Sequence, residues 1–159
     1  MRAGKSEQAA ALAKELLADA RKQLPGESPQ LAGQLASIGA SLLQAKAFDE
    51  AEPLVRQCLL IREKTRPDDW TTFNTRSLLG GVLLGQKKCA AAEPLLLAGY
   101  EGMKQREAKI PLPGKIQLTR ALERLVQLDE ALEKKDEAAK WRKELEAIQA
   151  AEKKVEKKP

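Results

Sequence analysis

AFDEAEPLVRQCLLIREK at positions 47–64 and KCAAAEPLLLAGYEGMKQ at positions 88–105 decide the fold. Ala-Glu-Pro-Leu at 51–54 returns at 92–95, 41 residues later, and self-similarity with that period marks a stacked repeat rather than a catalytic site. In the first copy Ala51, Leu54, Val55, Cys58 and Ile61 recur at three- and four-residue spacing. The second copy answers with Ala92, Leu95, Leu96, Gly99 and Met103. That spacing is one face of a helix. Pro53 stands near enough to its helix start to cost at most the first intrahelical hydrogen bond.

Working outward, each copy is preceded by another helical pattern. Leu31, Leu35, Ile38 and Leu42 stripe a helix that opens with Ser28 as cap and Pro29 in its first position, running to about Ala45. Phe73, Leu79, Val82 and Leu83 stripe one that follows the break Arg66-Pro67-Asp68-Asp69, with Asp69 as cap, and ends near Gly85. Downstream, Pro111-Leu112-Pro113-Gly114 is the strongest punctuation in the chain. Beyond it come the stripes Leu118, Leu122, Leu125, Leu128, Leu132 and Ala138, Trp141, Leu145, Ile148. Upstream, Ala9, Leu12, Ala13, Leu16, Leu17, Ala20 and Leu24 describe a one-sided helix capped by Ser6 and ended by Pro25-Gly26. Ala10 lies 41 residues before Ala51, which puts this helix in the place of the second member of a pair whose first member is absent. A strip including Leu12 and Leu16 is therefore expected to lack its natural cover. The expected organisation is an all-α domain over 1–150 with about seven helices: a half repeat over 6–24 and full units over 29–65, 70–107 and 115–150. AEKKVEKKP at 151–159 reads as a charged, disordered tail.

Composition narrows the function. Aromatic residues make up 3% of the 159, too few to stack bases, and the net charge of +5 is spread among alternating acids and bases, so no nucleic-acid partner is expected. There is no histidine, which removes Ser-His and Cys-His nucleophiles and every histidine-containing metal site. Cys58 and Cys89, 31 residues apart, match no ligand or redox spacing and read as small core residues in a reducing compartment. An enzyme reading would have to rest on carboxylate pairs such as Asp49/Glu52 or Asp68/Asp69, and acids at helix starts are more often caps and dipole partners. Gly80-Gly81 and Gly85 lie on a helical pattern with no preceding strand, which favours close helix packing over a phosphate loop. Trp70 and Trp141 read as hydrophobic anchors. No apolar run spans a bilayer and the N-terminus has no signal-peptide core, so a cytoplasmic, non-enzymatic protein without cofactor, metal or membrane partner is expected.

Taken as pairs, the helices place a small residue early in each second helix, Ala51, Ala92 and Ala138, and a Gly midway along two of the first helices, in Ile38-Gly39 and Leu79-Gly80. This pattern resembles the tetratricopeptide repeat, and the unit length together with the segment Gly26 to Ala32 is similar to its long, kinesin-light-chain-like subclass. DDWTTFNTRSLLGGVLLGQKK, AEPLLLAGYEGMKQREAKIP and ALERLVQLDEALEKKDEAAKWRKELE resemble the C-terminal repeat region of planctomycete-type bacterial serine/threonine protein kinases. Some positions depart from the family pattern: Leu42 and Leu83 replace aromatics, Val126 replaces a Gly, and Asp129 falls where Tyr is common. No kinase motif is present.

The resemblance implies an α-solenoid of antiparallel helix pairs, a protein-protein interaction scaffold whose concave face receives a peptide or protein segment. The alternative is a structural or self-association module, a homodimer through the N-terminal helix or a spacer in a larger kinase-linked signalling protein. If the apolar stripes of the first helices face the second ones, the adjacent flank Gly33, Ala36, Ala40, Asn74, Ser77, Gly81, Arg120, Arg124 and Gln127 lines the inner curve. Asn74, Ser77, Gly81, Arg120, Arg124 and Gln127 are the expected peptide-binding set, with Arg120 and Arg124, one helical turn apart, forming a fork for an acidic partner unless Glu123 neutralises Arg120.

Overall fold

A computed structural model describes residues 2–156, with side chains over 4–151. Among these the chain is all-α, with seven α-helices: α1 (Arg2–Gln23), α2 (Pro29–Gln44), α3 (Phe48–Thr65), α4 (Trp70–Gly85), α5 (Cys89–Gln105), α6 (Ile116–Ala131) and α7 (Lys135–Glu156). Two 3₁₀ turns, Glu107–Lys109 and Leu112–Gly114, take up the proline-rich stretch between α5 and α6.

The start signals act as the side-chain chemistry requires. Ser28 Oγ accepts from Leu31 N–H at 3.1 Å, and Asp69 Oδ1 accepts from Thr71 N–H at 2.9 Å, so each satisfies a donor that the helix itself leaves unpaired. Ser6 does not cap. It lies inside α1, which begins at Arg2, because Arg-Ala-Gly-Lys offers nothing that stops the helix from running back past the serine. The expected disordered tail is also corrected in part: 151–156 continue α7, since Ala, Glu and Lys are strong helix formers and no breaker intervenes. Residues 157–159 lie outside the described part.

Tight three-residue turns join α2 to α3, α4 to α5 and α6 to α7, so these neighbours fold back antiparallel and form the most extensive contacts in the molecule. Each pair then packs on the next through α3 against α4 and α5 against α6, while α1 rests on α2. Ala51, Ala92 and Ala138 are all buried at the start of the second helices. Gly39 faces Val55, and Gly80 faces Leu96, which lets the paired helices approach closely. The core is one continuous cluster from Ala13 through Leu128, aliphatic almost throughout. At the far end Tyr100 meets Trp141 edge to face, with ring centroids 5.8 Å apart. The Trp141 indole N–H donates to the buried Asp129 carboxylate at 2.9 Å. Tyr100 O–H donates to Glu144, and burial, followed by that carboxylate, pushes the phenol pKa upward.

Candidate functional site

The first helices also touch one another in succession, α2 with α4 and α4 with α6, and this determines which side chains share a face. Between them lies a hollow of about 330 Å³, lined by Ala36, Ser37, Ala40, Ser41, Leu43 and Gln44 of α2, Asn74 and Leu78 of α4, and Gln117, Arg120 and Arg124 of α6. A second hollow adjoins it toward the C-terminal ends of α2 and α4, sharing Leu43, Gln44, Arg120 and Arg124 and adding Gly81, Glu123 and Gln127 among others.

Arg124 is the centre of both. Its stem crosses α4 over Gly81: a Cβ at that glycine would lie 2.9 Å from both Cδ and Nε of Arg124, and 3.3 Å from Leu43. One turn back along α4, Ser77 Oγ accepts from Arg124 Nη1 at 3.0 Å. Burial, and then the like charge of Arg120, pull the Arg124 pKa down to about 10, against a smaller upward pull from Glu123. The guanidinium stays charged at neutral pH. Among the described residues no carboxylate forms an ion pair with Arg124 or Arg120, Glu123 included. Every other arginine with a half-buried side chain has an acceptor: Arg62 on Thr71 O and Thr75 Oγ1, Arg76 on Glu63, Arg106 on Asp68 and Gly102 O.

The structure thus brings Asn74, Arg120 and Arg124 around one hollow, with Ala36 and Ala40 on its α2 side, and Gly81, Arg120, Arg124 and Gln127 around the adjoining one. Two of the flank residues are placed differently from the expectation. Ser77 is completely buried and accepts from Arg124, and it lines neither hollow. Gly33 is exposed, with open space around it, and lines neither hollow. Ser37, Ser41, Gln44 and Gln117 line the hollow without having been singled out. The signal was available, because Ser37 and Ser41 lie four residues on from Gly33 and Ser37, and Gln117 three before Arg120.

The carboxylate pairs weighed for catalysis have structural partners. Asp49 accepts from Gln86 at 2.8 Å. Glu52 accepts from Arg56 at 2.8 Å and from Lys88 at 3.2 Å, and the Arg56 hydrogen bond in particular holds its pKa below the ordinary value. Asp68 pairs with Arg106. Burial works to raise the Asp69 carboxyl, but the Thr71 hydroxyl and N–H, with Arg66 and Arg62 nearby, outweigh it and leave the pKa lowered. Cys58 and Cys89 are free thiols; Cys58 donates to Ala32 O at 3.1 Å in the core, and burial raises its pKa. Among the described residues no group of His, Cys, Asp or Glu is arranged to hold a metal ion, and no helix is long and apolar enough to cross a membrane. Neither a protein-family model nor a curated protein matches the chain.

Proposed function

We propose that this chain is a non-catalytic protein-protein interaction scaffold: a tetratricopeptide-like α-solenoid whose α2/α4/α6 face receives a peptide or protein segment of acidic character. The observation that carries the reading is the unpaired Arg120–Arg124 couple over a groove built from three successive helices. A half-buried cation costs desolvation energy that a carboxylate partner ordinarily offsets, and among the described residues none makes that ion pair, which favours an acidic segment as the groove's occupant. The internal repeat of Ala-Glu-Pro-Leu and the pairwise packing support the solenoid assignment. A cytoplasmic setting, as an arm of a bacterial kinase-linked signalling protein, fits the free thiols and the resemblance of the repeat region.

The test is direct. A fluorescent decapeptide of alternating Glu and Ala should bind the full chain with micromolar-class affinity that weakens as salt is raised, and Arg120→Ala with Arg124→Ala should weaken it further. Unchanged binding in the double variant removes the groove from consideration. A second reading, self-association through α1, is favoured by one observation: Leu12 and Leu16 are 56% and 49% exposed on its outer flank.

A further inference from the structure

We propose that the hollow between α2, α4 and α6 seats a phosphate monoester, a dianionic phosphoryl group on a serine or threonine of the docked segment held between Arg120 and Arg124. This rests on the reading of the groove as a peptide site and specifies what anchors the peptide there. The charge inventory decides it. Of the side chains lining this hollow only these two arginines are charged, and both are positive; Lys46 and Glu123, of opposite sign, line the adjoining one and leave the two arginines as the net charge of the pair of hollows; the polar remainder, Ser37, Ser41, Gln44, Asn74 and Gln117, is neutral. One carboxylate would leave one guanidinium uncompensated on a partly desolvated wall, whereas a phosphomonoester supplies close to two negative charges at neutral pH. Geometry agrees with the charge. Arg124 is braced by Gly81 and Leu43 and spends one N–H on Ser77, so its remaining donors, which have no protein acceptor among the described residues, form a fork held in place before the ligand arrives. The Ser37 hydroxyl and the Gln44 amide on α2 can donate to the third phosphoryl oxygen. A nucleic acid fits less well, because its phosphodiesters carry a single charge each and no aromatic side chain lines this hollow to stack a base.

The experiment uses acetyl-Ala-phosphoserine-Ala-amide, its Asp counterpart and inorganic phosphate as probes, titrated calorimetrically into the full chain. The phosphotripeptide is expected to bind about tenfold tighter than the Asp peptide at pH 7. Its affinity should fall toward pH 5 as the phosphate, with a second pKa of about 6, becomes a monoanion, while the Asp peptide changes little. With no histidine in the chain, no protein side chain of ordinary pKa titrates in that window to confuse the result. Arg124→Lys, which keeps the charge and loses the fork, should weaken the preference, and Arg124→Gln, which removes the charge, should abolish it. Gly81→Ala, which displaces the Arg124 stem while both charges remain, should weaken the preference as well. Equal affinity for the phosphorylated and Asp peptides overturns the proposal, as does inorganic phosphate or oligouridylate binding as tightly as the phosphotripeptide. If the Glu-Ala decapeptide still binds while the phosphoryl preference is missing, the phosphate assignment alone fails. If neither peptide binds, the groove reading fails with it.

Discussion

Lys46, Lys87 and Glu133 adopt left-handed backbone, with φ of 62°, 63° and 58°, a region that side chains with a Cβ enter at a cost of about 1–2 kcal/mol. Each follows the last turn of a first helix and closes it in the same way. Lys46 N–H bonds to Leu43 O and Ala47 N–H to Leu42 O; Lys87 and Lys88 do so to Leu84 and Leu83, and Glu133 and Lys134 to Glu130 and Asp129. This double bond pattern satisfies carbonyls that the helix end leaves free, and it reverses the chain within three residues. Glycine ordinarily fills such a position, so Lys87→Gly, at an exposed site whose side chain makes no hydrogen bond or ion pair with the described residues, should stabilise the fold by about 0.5–1 kcal/mol after the greater freedom of glycine in the unfolded chain is set against the strain relieved. The check is a urea midpoint moving upward at constant slope; an unchanged or lower midpoint would show that the strain relieved does not exceed the entropy that glycine costs. These turns were not legible in the sequence, because the usual glycine marker is missing and Lys-Lys or Glu-Lys says nothing about φ. The caps at Ser28 and Asp69 were legible, since a short oxygen-bearing side chain ahead of an apolar stripe has a local mechanism behind it.

Helix spans were readable wherever an apolar period met a breaker: α3 ends at position 65, and α4 follows the Asp69 cap and ends at Gly85, as expected. The outer ends of α1 and α7 were not, because nothing in Arg-Ala-Gly-Lys or Ala-Glu-Lys-Lys opposes a helix and propensity alone fixes no boundary. How closely two elements cross depends on partners distant in sequence, so it was legible only in part. At the α4/α5 crossing Gly99 turns out to be the tightest point against backbone. A Cβ there would stand 2.6 Å from Ser77 N and 2.9 Å from Phe73 O, atoms that cannot step aside without moving α4. Gly99→Ala should therefore cost about 1–3 kcal/mol. Gly33→Ala, in the exposed middle of α2 with nothing within 4 Å, should instead gain about 0.5–1 kcal/mol from helix propensity. Opposite shifts in thermal midpoint test the pair together, and a neutral Gly99→Ala would mean that the two helices are less tightly locked than the geometry requires. Since Ser77 lies on this crossing and also holds Arg124, the same variant should disturb the groove, which links the packing of a helix pair to the order of the site above it.

At the scale of the whole molecule the packing is sequential: each element leans on the next, and α1 has only α2 as a principal neighbour. Its inner flank, Ala9, Ala13, Leu17, Ala20 and Leu24, joins the core. Its outer flank presents Leu12 and Leu16 to solvent. The two readings of function diverge at this helix. A self-association module needs an interface of about 800 Å² per partner to persist at low concentration, drawn from about 20–30 residues a side. The 22-residue α1 is only about 33 Å long, and two half-exposed leucines set among Lys5, Glu7, Lys14, Glu15, Asp19 and Lys22 do not provide that area. Pairing through this flank should consequently be weak, with dissociation constants of hundreds of micromolar or more, and it should vanish in Leu12→Glu with Leu16→Glu because each substitution buries a charge against the partner copy. Peptide binding at the α2/α4/α6 groove, which shares no residue with α1, should be unaffected by the same double change. Sedimentation equilibrium across a wide concentration range, run beside the peptide titration, separates the outcomes. A tight dimer dispersed by the two glutamates would make self-association the primary role, whereas a strict monomer at the highest concentrations would eliminate it and leave the groove as the face through which this chain meets a partner.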